Sequence, residues 1–259
     1  MIKNTFLFLE GIGREKERKL WQQGIHEWND FMDAPSIQGL HPTRKQAFDV
    51  QLQQAKDKLW AGNMDYFFDK LPLAEHWRLW EHCKDEAVFL DIETGEREGI
   101  TVVGLYDGRD CKTFIRGQTL DKKTLLAELN KYAVLVSFNG TSFDIPVLQR
   151  YFGITLTHPH IDLRTVCGRV GLKGGLKEIE KRLGITRRKE VENLRGGHAD
   201  QLWNMWQASG DKEWLDRLVM YNEEDVLNLE TLAQKVIPQL TSKTRFGKVP
   251  TLDLKTPTH

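Results

Sequence analysis

Four carboxylates, set in three short islands that each adjoin an apolar or amphipathic run, constrain this chain more than any other feature. Asp91 and Glu93 close the apolar run Ala87-Val88-Phe89-Leu90. Asp144 follows a second run, residues 133–138, across Asn139-Gly140-Thr141-Ser142-Phe143. Asp225 stands with Tyr221 in Tyr221-Asn222-Glu223-Glu224-Asp225, inside a long helical pattern. Apolar neighbours put such groups at the edge of a core, where an unpaired charge is costly. Brought together they repel one another, so a fold that gathers all four makes sense only around cations.

The rest of the chain says which fold could gather them. Residues 1–85 read as almost wholly helical: Phe48, Leu52, Ala55 and Leu59 recur at helical spacing, with Pro42 near the start of that segment. Five of the eight tryptophans lie here, Trp21, Trp28, Trp60, Trp77 and Trp80. Trp77 and Trp80 share a helix face, which favours packing in a core over stacking against bases. The stretch Phe8-Leu9-Glu10-Gly11-Ile12-Gly13 precedes a helix to Gln23. It resembles part of a helix-hairpin-helix DNA-binding element, because glycines before a helix leave backbone N–H groups for a phosphate. There is no room for a full helix ahead of it, and an ordinary loop-to-helix start is the competing reading.

From residue 87 the pattern is one of strands, over 87–93, 100–106 and, past a turn at Asp107-Gly108, 111–115. Their close spacing predicts an antiparallel meander. A helix over 122–129, a strand over 133–138, a helix over 144–151 and a short strand over 160–163 follow. Further helices are expected over 176–183, 199–207 and 212–236. Strand-strand-strand-helix-strand-helix is the order of an RNase H-like domain. The expected fold class is therefore α/β: an RNase H-like mixed sheet flanked by helices over 86–238, preceded by a small helical region over 1–85. The polar stretch 239–259, with Pro250 and Pro257, is expected to be a disordered tail.

Charge narrows the partners without naming them. Formal net charge is zero over 259 residues, so the whole chain does not advertise binding to nucleic acid. Residues 163–195 differ: Arg164, Arg169, Lys173, Lys177, Lys181, Arg182, Arg187, Arg188, Lys189 and Arg195 face only four glutamates. Such a stretch can hold phosphates, and a solvated helix face is the competing reading. Cys83, Cys111 and Cys167 lack metal-type spacing and cannot all pair internally, which suits reduced thiols in a cytoplasmic protein. Nothing resembles a signal peptide or a membrane span.

Local geometry separates the carboxylate islands from look-alikes. Side chains alternate along a strand, so Asp91 and Glu93 share one face. Asp211-Lys212-Glu213 has the same spacing but follows Ser209-Gly210 at a helix start, where it favours the helix dipole. Tyr221 and Asp225, four apart, share one helix face. Tyr106 and Asp110 have that spacing too, but across a hairpin turn, where helical geometry cannot align them. Asp144 follows an Asn-Gly turn at a helix start and reads as an N-cap, a metal ligand or both. Asp162, ending a short strand, orients a metal-binding group or serves structure alone, and His158, His160 and His198 lack ligand spacing.

Taken in order, Asp91-x-Glu93, Asn139-x-x-x-Phe143-Asp144 and Tyr221-x-x-x-Asp225 resemble the three exonuclease motifs of the DEDD superfamily, in its tyrosine-type branch. More closely, the chain is similar to the YprB-like predicted exonucleases. That likeness includes Gly174-Gly175-Leu176-Lys177-Glu178-Ile179-Glu180 and covers most of residues 5–236. The resemblance implies that Asp91, Glu93, Asp144 and Asp225 hold two divalent cations, Mg²⁺ or Mn²⁺, which suit hard oxygen ligands and can cleave a phosphodiester. It implies that Tyr221 orients the attacking water, and that Thr94, Asn139 and Phe143 position the terminal nucleotide. Arg187 and Arg188, from the basic stretch, join them as substrate-binding candidates. The expected activity is 3′→5′ exonuclease on nucleic acid, with DNA preferred. The alternatives are an RNA-trimming exonuclease and a nucleic-acid-binding module without turnover.

Overall fold

Five strands form one mixed sheet in the computed structural model, which describes residues 1–95, 99–194 and 196–247. They are β1 (Ala87–Gly95), β2 (Gly99–Tyr106), β3 (Cys111–Ile115), β4 (Val134–Ser137) and β5 (His160–Asp162). Their order is β3-β2-β1-β4-β5, with β1–β2 and β2–β3 antiparallel and β1–β4 and β4–β5 parallel. The expected meander and mixed sheet are what forms. Central β1 is covered on both faces, which is why it reads as an unbroken apolar run.

Before the sheet come α1 (Arg14–Gln22), α2 (Trp28–Asp33), α3 (Pro42–Trp60), α4 (Asp65–Lys70), a 3₁₀ helix (Leu73–Leu79) and α5 (Trp80–Cys83). Pro42 is the first residue of α3, where its missing N–H costs nothing. Phe48, Leu52, Ala55 and Leu59 are all buried, as their spacing predicts. Among the described residues the helical element ahead of the Gly11–Gly13 loop is a 3₁₀ turn, Ile2–Asn4. Trp28, Trp77 and Trp80 are buried and Trp21 half-buried, whereas Trp60 ends α3 and is 92% exposed. Trp21 and Trp28 donate their indole N–H to Asn4 O and Thr5 O, as packed tryptophans do.

The helical region is not set apart from the sheet. Phe6, Phe31, Trp77 and Trp80 belong to one continuous apolar core with Phe89, Val136 and Ile161 of the sheet. Edge strand β5 is tied to it as well. His160 N donates to His76 Nδ1 at 3.0 Å, which leaves His76 Nε2–H to donate to Leu71 O at 3.0 Å. Val88, Leu90, Ile92 and Leu135 point to the opposite face, under α6 (Lys122–Leu129) and α7 (Asp144–Phe152).

The remaining helices are α8 (Leu163–Arg169), α9 (Leu176–Arg182), α10 (Lys189–Glu192), α11 (Gly196–Ser209) and α12 (Lys212–Phe246). Two differences from expectation have local causes. The strand expected to reach residue 163 stops at Asp162, whose carboxylate accepts from Arg164 N and caps α8. Helix α12 does not end near Pro238 but runs through it to Gly247, whose φ of 70° closes the helix. Residues 239–246 are therefore helical rather than part of a disordered tail. Burial of Val236, Ile237 and Leu240 in the shared core offsets the hydrogen bond Pro238 removes. Arg195 and residues 248–259 lie outside the described residues.

Candidate metal centre

Asp91 and Glu93 leave β1 on the same face, and α12 crosses that face with Tyr221 and Asp225 turned toward them. One carboxylate oxygen from each of Asp91, Glu93 and Asp225 lies within 4.8 Å of the other two. Just past Glu93 the ladder shifts: Glu93 opposes Val102 and Thr94 opposes Ile100, leaving Thr101 as an extra residue on β2. A bulge of this kind bends and re-aims the strand end beside a site.

Asp144 stands next to this group, not in it. It is the first residue of α7, and the capping position belongs to Phe143, so the N-cap reading of Asp144 does not hold. Its Oδ1 instead accepts from Ile92 N, between the two β1 carboxylates, at 3.1 Å. The loop before it is shaped by Asn139, which adopts a left-handed φ of 68°, and by Asp162. Asp162 accepts from Asn139 N and Thr141 N, and Asn139 Oδ1 accepts from Arg164 Nη1. Asp162 thus braces the loop that presents Phe143 and Asp144.

The electrostatics are those of a site short of positive charge. Burial, then the charges of Asp225, Glu93 and Asp144, hold the Asp91 carboxyl far above the usual carboxylate range. Glu93 is raised by burial and by Asp225 and Asp144. Asp144 is pushed up to about 7, chiefly by burial. Hard, mutually repelling oxygen donors of this kind fit Mg²⁺ or Mn²⁺, which would relieve both burdens at once.

Residues 88–237, well over half of the chain, match the family model described as the RNase H superfamily. The chain belongs to the RNase H superfamily. Among curated proteins none matches it. Two solved structures are similar to this superfamily member. One is the family B DNA polymerase from the hyperthermophilic archaeon Pyrobaculum calidifontis, 19% identical, with a TM-score of 0.48 over 63% of this chain and 26% of the polymerase. The other is Escherichia coli RNase D, an exoribonuclease involved in structured RNA processing, 19% identical, with a TM-score of 0.47 over 66% of this chain and 44% of RNase D. The chain spans less than half the length of either.

Three residues of this RNase H superfamily site have surroundings that only the structure shows. Lys177 Nζ is buried without a hydrogen-bond partner and lies 4.5 Å from the centre of the Tyr221 ring. Burial and the Arg187 charge lower its pKa, against the pull of Asp225. Asn222 Nδ2 donates to Asp91 Oδ2 at 2.8 Å. Arg187, expected among exposed phosphate-binding cations, has only 6% of its side chain exposed. It holds Glu180 through two hydrogen bonds of 2.6 and 2.7 Å and pairs with Asp225 at 2.5 Å. A buried guanidinium so engaged supports the site from within, and this corrects its reading as a surface contact.

The basic stretch as a whole is less available than its composition implies. Arg169 pairs with Glu75 at 3.0 Å, Arg182 with Glu178, and Arg188 with Glu224 at 2.8 Å. Arg188 nevertheless keeps 43% of its side chain exposed. Thr94 is half-buried at the end of β1, and Phe143 presents a ring 41% exposed beside Asp144. Cys83, Cys111 and Cys167 are unpaired, and among the described residues no helix is long and apolar enough to cross a membrane.

Proposed function

We propose that this protein is a divalent-metal-dependent 3′→5′ exonuclease acting on DNA, of the tyrosine-type DEDD group and near the YprB-like exonucleases. The observation that carries the reading is the convergence of Asp91, Glu93 and Asp225, from a strand and a distant helix, beside Tyr221. Membership of the RNase H superfamily supports it, and the polarity rests on the resemblance to the DEDD exonucleases alone.

Asp91, Glu93 and Asp225 would hold one cation, and Asp144 would extend the set to a second. Bound cations supply activation of a water and stabilisation of the departing oxygen. The protein's own groups do the rest. Burial and the charges of Asp225, Glu93 and Asp91 raise the Tyr221 phenol, so it stays protonated and orients water through its hydroxyl instead of acting as a base. Lys177 offers an unpaired ammonium to the scissile phosphate from above the same ring. Phe143 packs on the terminal base, Thr94 and Asn139 position its sugar and phosphate, and Arg188 receives the strand farther out.

The test is incubation of end-labelled single-stranded DNA, duplex DNA and RNA with the protein and Mg²⁺ or Mn²⁺, with products sized over time. Stepwise shortening from the 3′ end, fastest on DNA and abolished by EDTA, is the expected result. Faster shortening of RNA would reassign the substrate, and tight binding without cleavage would leave a binding module.

A further inference from the structure

Asn222 has no acid–base chemistry to offer, yet it is fully buried and reaches Asp91. Its Nδ2 donates both to Asp91 Oδ2, at 2.8 Å, and to the Asp91 backbone oxygen, at 3.3 Å. The Asp91 backbone oxygen can only accept, which fixes the orientation of the amide. The carbonyl end, Oδ1, must then point the other way, and it does so without a hydrogen-bond partner. A buried acceptor left unpaired is costly, so something at this position outweighs that cost.

What Oδ1 faces is Gly104. Gly104 sits on β2 directly opposite Asp91 in the β1–β2 register. A Cβ built on Gly104 would lie 2.1 Å from Asn222 Oδ1 and 3.0 Å from its Cγ. Gly104 does not have a positive φ, so its backbone does not demand glycine. The space above it does: any side chain there would push the amide off Asp91.

We propose that Asn222 is a positioning residue for the cation site, and that Gly104 is the gap in the sheet that lets it act. One Asp91 oxygen is engaged by the amide, and the other is left for a divalent cation shared with Glu93 and Asp225. The unpaired Oδ1 is the cost of placing a donor, and only a donor, against Asp91. This inference rests on Asp91 being a cation ligand, as proposed above. Partners that orient a ligand in this way are typically worth about 10–100-fold in metal affinity or activity.

The full chain should be compared as wild type, Asn222→Ala, Asn222→Leu, Gly104→Ala and the Asn222→Ala/Gly104→Ala pair. Mn²⁺ affinity is read by calorimetry on the chelator-stripped protein, with kcat and KM on labelled DNA alongside. Asn222→Leu keeps the branched shape of the amide without its donor, so the site stays filled even if the alanine change opens a cavity. The expected result is Mn²⁺ binding weakened about 10–100-fold in each single variant, with kcat lowered more than KM. Gly104→Ala should add almost nothing once Asn222 is already alanine, because the glycine acts through the amide. Folded single variants with wild-type Mn²⁺ affinity would overturn the proposal, as would additive losses in the pair. Failure of the function itself looks different: the wild type would then bind no Mn²⁺ or cleave no nucleic acid.

Discussion

Arg187 Nη1 lies 2.5 Å from Asp225 Oδ1, and both side chains are almost closed to solvent. The same guanidinium spans Glu180, itself buried, so one cation is shared by two buried acids. Asp225 therefore has a built-in counter-charge on one side and the repulsion of Asp91 and Glu93 on the other.

Removing that cation should be felt as lost stability. Arg187→Ala leaves Glu180 and Asp225 buried without their partner, a loss of about 3–5 kcal/mol for a broken buried pair. Arg187→Lys should recover little, since an ammonium cannot reproduce the two-pronged bond to Glu180. Arg188→Ala, at a half-exposed pair, should cost about 1 kcal/mol or less and weaken the salt dependence of DNA binding. Urea unfolding at neutral pH ranks the three. Equal stability of Arg187→Ala and wild type would remove Arg187 from the supporting role.

Asp91→Asn should abolish cleavage while the protein remains folded, because it removes a charged ligand from the proposed cation site. The look-alike pair gives the control. Asp211 caps α12 by accepting from Glu213 N, and Glu213 is exposed, so Glu213→Gln should stay within a few-fold of wild type. Near-normal turnover by folded Asp91→Asn would sink the assignment of the site.

The metal-free protein should lose stability as pH rises. Asp144 titrates near 7 when folded, against about 3.9 in an unfolded chain, and Asp91 and Glu93 are raised as well. The folded state thus binds more protons than the unfolded one between these values, and stability falls with pH across that window. In EDTA, the melting temperature should drop from pH 5 to pH 8, and Mn²⁺ should restore it more at pH 8 than at pH 5. Asp91→Asn should flatten the EDTA curve. A metal-free melting temperature that climbs over this range would contradict the electrostatics described here.

Residues 86–259 produced alone should not fold as an independent unit. Phe89, Val136 and Ile161 lose the partners that residues 1–85 supply, and His160 N loses its acceptor on His76. Poor solubility, or a broad thermal transition by circular dichroism, is the expected outcome. A sharply melting, soluble fragment would show that the helical region is dispensable to the fold.

Much of this arrangement was legible in the chain because it rests on short-range rules. An unbroken apolar run marked β1, and side-chain alternation put Asp91 and Glu93 on one face; helical spacing aligned Tyr221 with Asp225 and buried Phe48, Leu52, Ala55 and Leu59. The turn at Asp107-Gly108 gave the antiparallel meander, and the order of strands and helices pointed to the RNase H-like fold. These features depend on a residue and its near neighbours, so sequence states them directly.

Other features depend on what a side chain meets across the fold, and only the tertiary structure decided them. A run of arginines looks the same whether it faces solvent or, like Arg187, reaches back to Glu180 and Asp225. Pro238 reads as a stop until the burial of Leu240 shows what carries α12 past it. Asp144 reads as a cap, a metal ligand or both until Ile92 N, 52 positions away, claims one of its oxygens. Gly104 carries no signal in the sequence at all. Its meaning is the room it leaves for Asn222 against Asp91, a relation among three elements that only packing brings together.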